Sequence, residues 1–585
     1  MRRGKFDLSA ALGQVVGEAS LRDTSLLTAD VLGTSWAKYY QIVEGFKGTL
    51  SICGTDVSVE VGLPAYFPNQ LPKARLTPWD ALGFIPHVDH FGNVCFLDAE
   101  GIILDRNQPG AIIKDTIELM IRVLEDGYTG KNHADFMDEF DAYWVQARNI
   151  AILHSYITPD DQAREIILAE GKNGYVYVAD TERAVRAFLS GHDPKHFTIR
   201  KALYIPLRPG ALLKPPRPEN MWTVEEVRRF IHGNTEQKTR KAIDNLTQKY
   251  KQDEVIVLKL PRPSGGENLI GIRFYRVEKR HPLLEGGQVN KAMPLLLERR
   301  DKEYILPRGG GRSSLSDKRV LMIGCGAIGG YLAYFLAQSG ILHLSLVDPQ
   351  KLAPENIFRH RLGRRYLGVH KSDALKTDLE ETLPYLHVES YPEGIEQLLN
   401  SGRLRLHDFD LIITALGIPT LELYLNEVIQ EAATAPPAIF CWLEPYGIGG
   451  HALLSNNASQ GSSLNGCYEC LYAGDTDDHS LFNRASFAAA GQSFAKNVAG
   501  CGSLFVPFGA LDAIKTAEVA VRLAIKTLER QETSNPLYSW KGSSEDFKTA
   551  GYKLSPRFSL DERQFKETRL AYIHSACPTC SREAA

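Results

Sequence analysis

Val320-Leu-Met-Ile323 runs without a break into Gly324-Cys-Gly326-Ala-Ile-Gly329, and this junction sets the architecture of the C-terminal half of the chain. Four consecutive apolar residues suit a strand buried in a parallel sheet, and the glycine loop should feed a helix through Tyr331 to Ala337, closed by Gly340. Gly324 permits the tight turn, Gly326 lets the backbone approach a phosphate at the helix N-terminus, and Gly329 lets the helix pack on the sheet. The next strand, Leu342-His-Leu-Ser-Leu-Val347, ends on Asp348, where a carboxylate can take ribose hydroxyls. By itself such a loop fits NAD, FAD or ATP, and some loops of this kind merely turn the chain.

The residues beyond Asp348 narrow the choice. Pro354-Glu-Asn356-Ile-Phe-Arg359-His360 places an amide and a guanidinium three residues apart, on one face if helical, and Lys371 follows Gly368. Asn, Arg and Lys together suit the stabilisation of charge along a triphosphate. A solvated basic face is the plainer reading of Arg359, Arg361, Arg364, Arg365 and Lys371. Taken with the loop and Asp348, this pattern resembles the adenylation domain shared by ThiF/MoeB proteins and ubiquitin-activating enzymes. The resemblance implies ATP and magnesium as cofactors and a protein carboxyl terminus attacking the α-phosphate to give an acyl-adenylate. Gly324, Gly326 and Gly329 would touch phosphate, Asp348 the ribose, and Asn356, Arg359 and Lys371 the phosphates. His360 stands where the family usually has Gln. Thr414-Ala-Leu-Gly417, after the strand Asp410-Leu-Ile-Ile413, lacks the family's magnesium-binding Asp, which leaves Glu422 or Glu444 as substitutes, or a diverged pattern.

Nine cysteines, an odd number, argue against a disulfide framework and for a reducing cytoplasm. Cys467-Tyr-Glu-Cys470 and Cys577-Pro-Thr-Cys580 form two knuckles, and four thiolates close a tetrahedral, structural zinc site. A redox dithiol needs only one such pair. ThiF/MoeB-like domains often carry this arrangement. Cys501, in Asn497-Val-Ala-Gly-Cys-Gly-Ser503, precedes a helix expected from Gly509 to Val521. Thiol-using members of the family place an acceptor cysteine in such a position, where a helix N-terminus favours the thiolate; a small residue in a tight loop is the alternative. Cys441 and Cys53 read as buried strand cysteines, and Cys325 as incidental to its loop.

At 585 residues the chain calls for three or four domains, and a net charge of −3 gives no electrostatic case for nucleic acid or a membrane surface. No apolar run approaches the ~20 residues that span a bilayer, and Met1-Arg-Arg-Gly-Lys lacks the apolar core of a signal peptide. The N-terminal segment opens with a mixed helix and then alternates as strands over Gly48-Thr-Leu-Ser-Ile52 and Val57-Ser-Val-Glu-Val61. Gly62-Leu-Pro-Ala-Tyr-Phe-Pro68, Pro72-Lys73, His87, Gly92-Asn-Val-Cys95-Phe-Leu-Asp98 and a periodic helix from Ile112 to Leu124 follow. In this order, over about residues 35 to 130, the pieces resemble the core of a ubiquitin-conjugating enzyme. The resemblance makes Cys95 the thioester acceptor, with Asp98 the nearby acidic residue; sulfur attacks well as thiolate and leaves well when an amine attacks. A buried strand cysteine is the plain alternative. The family's His-Pro-Asn triplet is here His87-Val-Asp89, so the oxyanion donor falls to Asn93, His90 or backbone amides. His87, Asp89 and His90 also have the types and proximity of metal ligands, a pattern frequent by chance.

Between about 146 and 310, strands such as Tyr175–Val178 and Val255–Leu260 alternate with polar helices. Leu213-Lys-Pro-Pro-Arg-Pro218 and Gly309–Gly311 read as connections. Arg299, Arg300 or Arg308 are loosely placed to supply an arginine across a dimer. The expectation is a multidomain α/β and α+β protein: an α+β ubiquitin-conjugating-like fold over 1–145, an α+β linker domain over 146–310, and a Rossmann-like ThiF/MoeB adenylation domain with its zinc site over 311–585. An activating and a conjugating module on one chain resemble the fusion proteins encoded beside cGAS/DncV-like nucleotidyltransferases in CBASS antiphage systems. That resemblance implies a nucleotidyltransferase C-terminus as substrate, relay from Cys501 to Cys95, a target amine as acceptor, a homodimer and a cytoplasmic location. The other class weighed is a sulfur-carrier adenylyltransferase whose N-terminal part only binds.

Overall fold

The computed structural model describes residues 21–97, 100–146, 150–172, 174–188, 197–210, 213–217, 222–248, 253–277, 280–289, 291–432, 434–456, 466–474, 482–497 and 504–580. The expected opening helix, Asp98 and Cys501 lie outside these residues. The chain divides into two compact units between Asp301 and Lys302.

Unit 1 begins with an antiparallel sheet in the order β1 (Arg22–Leu26), β2 (Ile42–Ile52), β3 (Thr55–Pro64), β4 (Lys73–Thr77). Between β1 and β2 a short helix, α1 (Ser35–Tyr39), buries Trp36. The long helix α2 (Pro109–Thr129) lays Ile113, Ile117, Met120 and Leu124 on the sheet, a spacing that keeps them on one face. They meet Phe46, Val59, Val61 and Leu63, and each such fully buried side chain contributes about 1.5–3 kcal/mol. Cys53 corrects its sequence reading: it is exposed, in the β2–β3 turn, with φ of 50° followed by Gly54 at 84°. Two successive positive-φ residues match the backbone twist of paired antiparallel strands, so the cysteine sits at a hairpin tip and not in a strand.

The rest of unit 1 is a closed barrel with neighbours β10-β11-β5-β7-β6-β8-β9. Its strands are β5 (Ala151–Tyr156), β6 (Arg164–Gly171), β7 (Val176–Ala179), β8 (Phe197–Pro206), β9 (Glu254–Pro261), β10 (Glu267–Tyr275) and β11 (Lys291–Arg299). Two short helices, α3 (Asp135–Asp138) and α4 (Phe140–Trp144), join sheet to barrel. Phe136 and Tyr143 pack with Phe84, while Phe140 and Trp144 enter the barrel core, where Trp144 Nε1 donates to the Leu295 carbonyl at 3.0 Å. Helices α5 (Val224–Asn234) and α6 (Gln237–Thr247) cover this core with Val227, Ile231 and Ile243.

Unit 2 is a sheet in the order β14-β13-β12-β15-β16-β17-β20. Its members are β12 (Arg319–Ile323), β13 (His343–Val347), β14 (His387–Tyr391), β15 (Leu411–Thr414), β16 (Ala438–Leu443), β17 (Gly449–Ser455) and β20 (Leu537–Lys541). Strands from β14 to β16 pair in parallel, and β17 and β20 are antiparallel. The chain reverses direction across the sheet at β12, so the glycine loop lies at the topological switch point where such sheets bind ligands. Helix α7 (Ala327–Gln338) follows the loop, and α10 (Ala510–Leu528) presents Ala517, Ala520 and Ala524 to the same core. The small side chains let α10 come close to the sheet. A two-stranded ladder, β18 (Lys496–Asn497) with β19 (Leu504–Phe505), stands before α10.

Candidate functional sites

At the end of β12, Gly324 has φ of 95°, and a Cβ on Gly329 would stand 1.9 Å from the Gly324 carbonyl oxygen. Only glycine allows the first turn of α7 to lie this close to the loop. Asp348, buried at the end of β13, accepts from the amide of Cys325 through Oδ2 and from that of Gln350 through Oδ1, both at 2.8 Å. Each oxygen keeps a lone pair for a further donor. His360 Nδ1 accepts from the Leu362 amide at 3.0 Å, so its Nε2 carries the hydrogen shared with the Cys325 carbonyl at 2.8 Å. Burial pushes the His360 pKa down to about 4, which keeps the ring neutral in that role.

Asn356 Oδ1 accepts from the Ala353 amide at 3.1 Å and opens the 3-10 turn Pro354–Arg359. The turn ends on Arg359, whose guanidinium lies over the Phe508 ring at 4.5 Å and donates to the Val506 carbonyl at 3.3 Å. Lys371 opens helix α8 (Lys371–Thr382), is buried, and its Nζ donates to Gln350 Oε1 at 2.7 Å. Gln350 thus ties Lys371 to Asp348, a link without any sequence signal. The basic run is not one solvated face: Lys371 is buried, while Arg365 pairs with Glu381 on the surface.

Neither carboxylate expected to replace the magnesium ligand fits that role. Glu422, at the start of helix α9 (Pro419–Glu431), is 1 % exposed, takes the Tyr468 hydroxyl at 2.8 Å and the Leu416 amide at 3.3 Å, and burial raises its pKa. Glu444 takes the ring of His451, the Ser486 hydroxyl and the amides of Phe487 and Ala488. Both brace the fold, and Gly417 occupies its position with φ of 64°, a conformation that disfavours Asp. Arg299 and Arg300 are likewise engaged, with Asp301 and Glu267 and with Glu298 and Tyr156.

Cys467, Cys470, Cys577 and Cys580 bring their sulfur atoms within 4.8 Å of one another. Cys467 and Cys577 lie 3.7 Å apart and Cys470 and Cys580 3.3 Å; about 3.8 Å separates sulfurs around tetrahedral zinc with Zn–S near 2.3 Å. Asn426 Nδ2 points at Cys467 Sγ from 3.5 Å, and its Oδ1 takes the Tyr468 amide. The donor set therefore fits zinc, which would be held structurally with no open position.

In unit 1, residues 87–89 and 93–95 face each other across a tight turn: the Cys95 amide donates to the His87 carbonyl at 2.8 Å and the Asp89 amide to the Asn93 carbonyl at 3.1 Å. Gly92 fits here because a Cβ would meet the Leu76 carbonyl oxygen at 2.2 Å. Asp89 Oδ1 accepts from the amides of Phe91 and Asn93, both at 2.8 Å, so Asp89 shapes the turn and supplies no donor. Asn93, buried, accepts from Trp36 Nε1 at 3.4 Å, and its side chain acts on the Cys95 thiol to lower its pKa. Of the donors expected from the sequence, Asn93 is the side chain placed at the sulfur. The Cys95 side chain reaches solvent, yet the protein crowding it, together with Asp89 and Glu139, raises its pKa, partly offset by Lys73 and Asn93.

His87 does not form a metal triad with Asp89 and His90. Its Nε2 lies 2.8 Å from Asp135 and its Nδ1 3.3 Å from Glu139, and hydrogen bonding to Glu139, with Asp135 adding to it against burial, raises its pKa to about 9. Partners 48 and more residues downstream left no trace in the local sequence.

Among the described residues, no helix is long and apolar enough to cross a membrane. Residues 37–153 match the prokaryotic E2 family B, and residues 304–551 match the ThiF family. An "ATP-dependent ubiquitin transferase-like protein Cap2" of Pseudomonas aeruginosa (strain BWHPSA011 / Pa011) is 26% identical over 483 residues, covering 80% of this chain and 84% of that protein. A protein of the same name from Vibrio cholerae serotype O1 is 23% identical, over 76% of this chain and 81% of its own. Among solved structures, Escherichia coli MccB with ATP matches with a TM-score of 0.31 at 17% identity, covering 46% of this chain and 69% of that one.

Proposed function

We propose that this Cap2-like fusion of a prokaryotic E2 domain and a ThiF domain is an ATP-dependent ubiquitin transferase-like enzyme that activates a protein carboxyl terminus and conjugates it to an amine. The substrate carboxylate bonds to the α-phosphorus of ATP, and pyrophosphate leaves. Gly324, Gly326 and Gly329 line the phosphates, Asp348 takes the ribose, and Asn356, Arg359 and Lys371 neutralise phosphate charge as it moves to the leaving group. The Cys501 thiolate then attacks the acyl carbon and AMP departs. Cys95 takes the acyl group from Cys501, and a target amine attacks the Cys95 thioester, with Asn93 donating to the oxyanion. Cys467, Cys470, Cys577 and Cys580 would hold zinc, which would supply no chemistry and would tie the C-terminal knuckle to unit 2. Glu422 and Glu444 are spent on Tyr468 and His451 and do not fit a magnesium site. The carboxyl donor is taken as a cGAS/DncV-like nucleotidyltransferase in CBASS antiphage defence, and the working form as a homodimer in the cytoplasm.

The observation that carries this reading is Cys95 on a turn beside the Asn93 amide, in the same chain as a glycine loop at a sheet switch point. The test is incubation with ATP, magnesium and the nucleotidyltransferase, followed by non-reducing electrophoresis, in a Cys53→Ser background that silences the exposed hairpin thiol. Wild type should form thiol-labile adducts, Cys95→Ala should retain one on Cys501, and Cys501→Ala should form none. The reading fails if no thiol-labile adduct forms on either cysteine, and a product that survives Cys95→Ala points instead to a sulfur-carrier adenylyltransferase.

A further inference from the structure

Beside Cys95 lies a cleft of about 550 Å³, lined by Tyr39, Tyr40, Asn69, Lys73, Leu104 and Arg106 among others. Its position relative to the sulfur is fixed by the backbone: Arg75 pairs with Asn93 in an antiparallel bridge, and the Val94 amide donates to the Ala74 carbonyl at 2.8 Å. That register sets Lys73 opposite Cys95. Among the described residues no carboxylate lines the cleft, and neither Lys73 nor Arg106 is in an ion pair. The Lys73 ammonium rests 5.3 Å from the centre of the Tyr40 ring, and Tyr39 is 71% exposed at the rim. Asp105, next in sequence to Arg106, spends its carboxylate on the Asn107 amide and the Gln108 side chain. Asp89 and Glu139 also act on the Cys95 thiol; Asp89 Oδ2 takes the hydroxyl of Tyr40 at 3.4 Å, on the cleft wall, and Glu139 pairs with His87. The sulfur therefore has both the cations of the cleft and two carboxylates near it.

We propose that this cleft selects the acceptor, taking a peptide in which the attacking lysine is flanked by acidic residues. The inference rests on the reading of Cys95 as the thioester-bearing residue. Asp89 and Glu139 near the sulfur draw in the lysine ammonium, while Lys73 and Arg106 hold the acidic neighbours and repel basic ones; Tyr39 and Tyr40 pack against the peptide stem. Once deprotonated, the lysine nitrogen bonds to the acyl carbon, the carbon–sulfur bond breaks, and the proton lost from nitrogen ends on the Cys95 sulfur. The donor's tail is the other occupant of matching size, and it predicts no dependence on the acceptor's charge.

The full chain with Cys95→Ser is titrated with fluorescein-labelled peptides carrying one central lysine between Glu, Gln or Lys flanks, and binding is read by anisotropy. Two solvent-exposed charge pairs lead to a preference of roughly tenfold for Glu over Gln flanks, weakened by salt. Lys73→Glu with Arg106→Glu should invert the order, favouring Lys flanks, in protein whose thermal transition shows it folded. In parallel, the Cys95 thioester of otherwise native chain is discharged with the same peptides, and the ratio of rates should follow the same order. Equal binding of the three peptides, or an order unchanged by the double charge reversal, overturns the proposal. A wild-type chain that keeps the binding order but never forms a thioester sinks the reading of Cys95 and leaves the selectivity of the cleft standing.

Discussion

Asp89 shows how one side chain can serve the backbone at a cost to the chemistry beside it. Its Oδ1 organises the turn through the amides of Phe91 and Asn93, but the carboxylate charge helps hold the Cys95 thiol protonated. Asn at this position keeps the accepting oxygen and drops the charge. Asp89→Asn should therefore load Cys95 faster at neutral pH, by roughly threefold, with the gain vanishing at high pH where both thiols ionise; rapid-quench loading assays across pH measure it. His87 offers a second test at the same scale. Its folded pKa of about 9 lies above the ordinary imidazole value of 6.5, so its contribution to stability is full below about 6.5 and lost as pH rises through 9. Asp135 and Glu139 are partly solvated, which limits the effect to about 1–2 kcal/mol. Denaturant titrations of wild type should show stability falling over that window, and His87→Ala should flatten the fall.

Elements were legible where a period or a spacing is local. The strand at β12, the helix at α7, the strands β2 and β3 taken singly, and the buried stripe of α2 follow from runs of residues that see one environment along their length. The knuckles were legible as well, because a Cys-x-x-Cys spacing already defines two vertices of a tetrahedron. Chelation of the metal, or Cys580→Ser, should lower the thermal transition of the full chain by roughly 10 °C, since the site joins the C-terminal knuckle to the rest of unit 2; calorimetry with and without added zinc reads the change. What local patterning does not carry is who satisfies whom. Glu422 and Glu444 look like free carboxylates in sequence, yet one receives the Tyr468 hydroxyl and the other four donors, three of them from 486–488. Cys53 looked like a strand residue because alternation continues on both sides of it; only the paired positive φ angles of residues 53 and 54 reveal the tip.

At the scale of the molecule, the proposed passage of the acyl group from Cys501 to Cys95 of the same chain would be a first-order event. Wild-type product formation per chain should not depend on protein concentration, whereas a mixture of Lys371→Ala and Cys95→Ala chains should form product at a rate that rises with it; a dilution series distinguishes the two. The middle of the chain resisted reading as a whole. Its strands were visible singly, but the barrel arises from pairings such as β8 with β9 and β11 with β5, separated by long stretches that impose no sequence period. That barrel has a further meaning. A sheet with open margins can be lengthened by any passing strand, and proteins that hold unfolded tails of other chains near reactive thiols run that hazard constantly. A ring whose every strand already has two neighbours offers no such margin, so this barrel leaves a foreign strand nowhere to add.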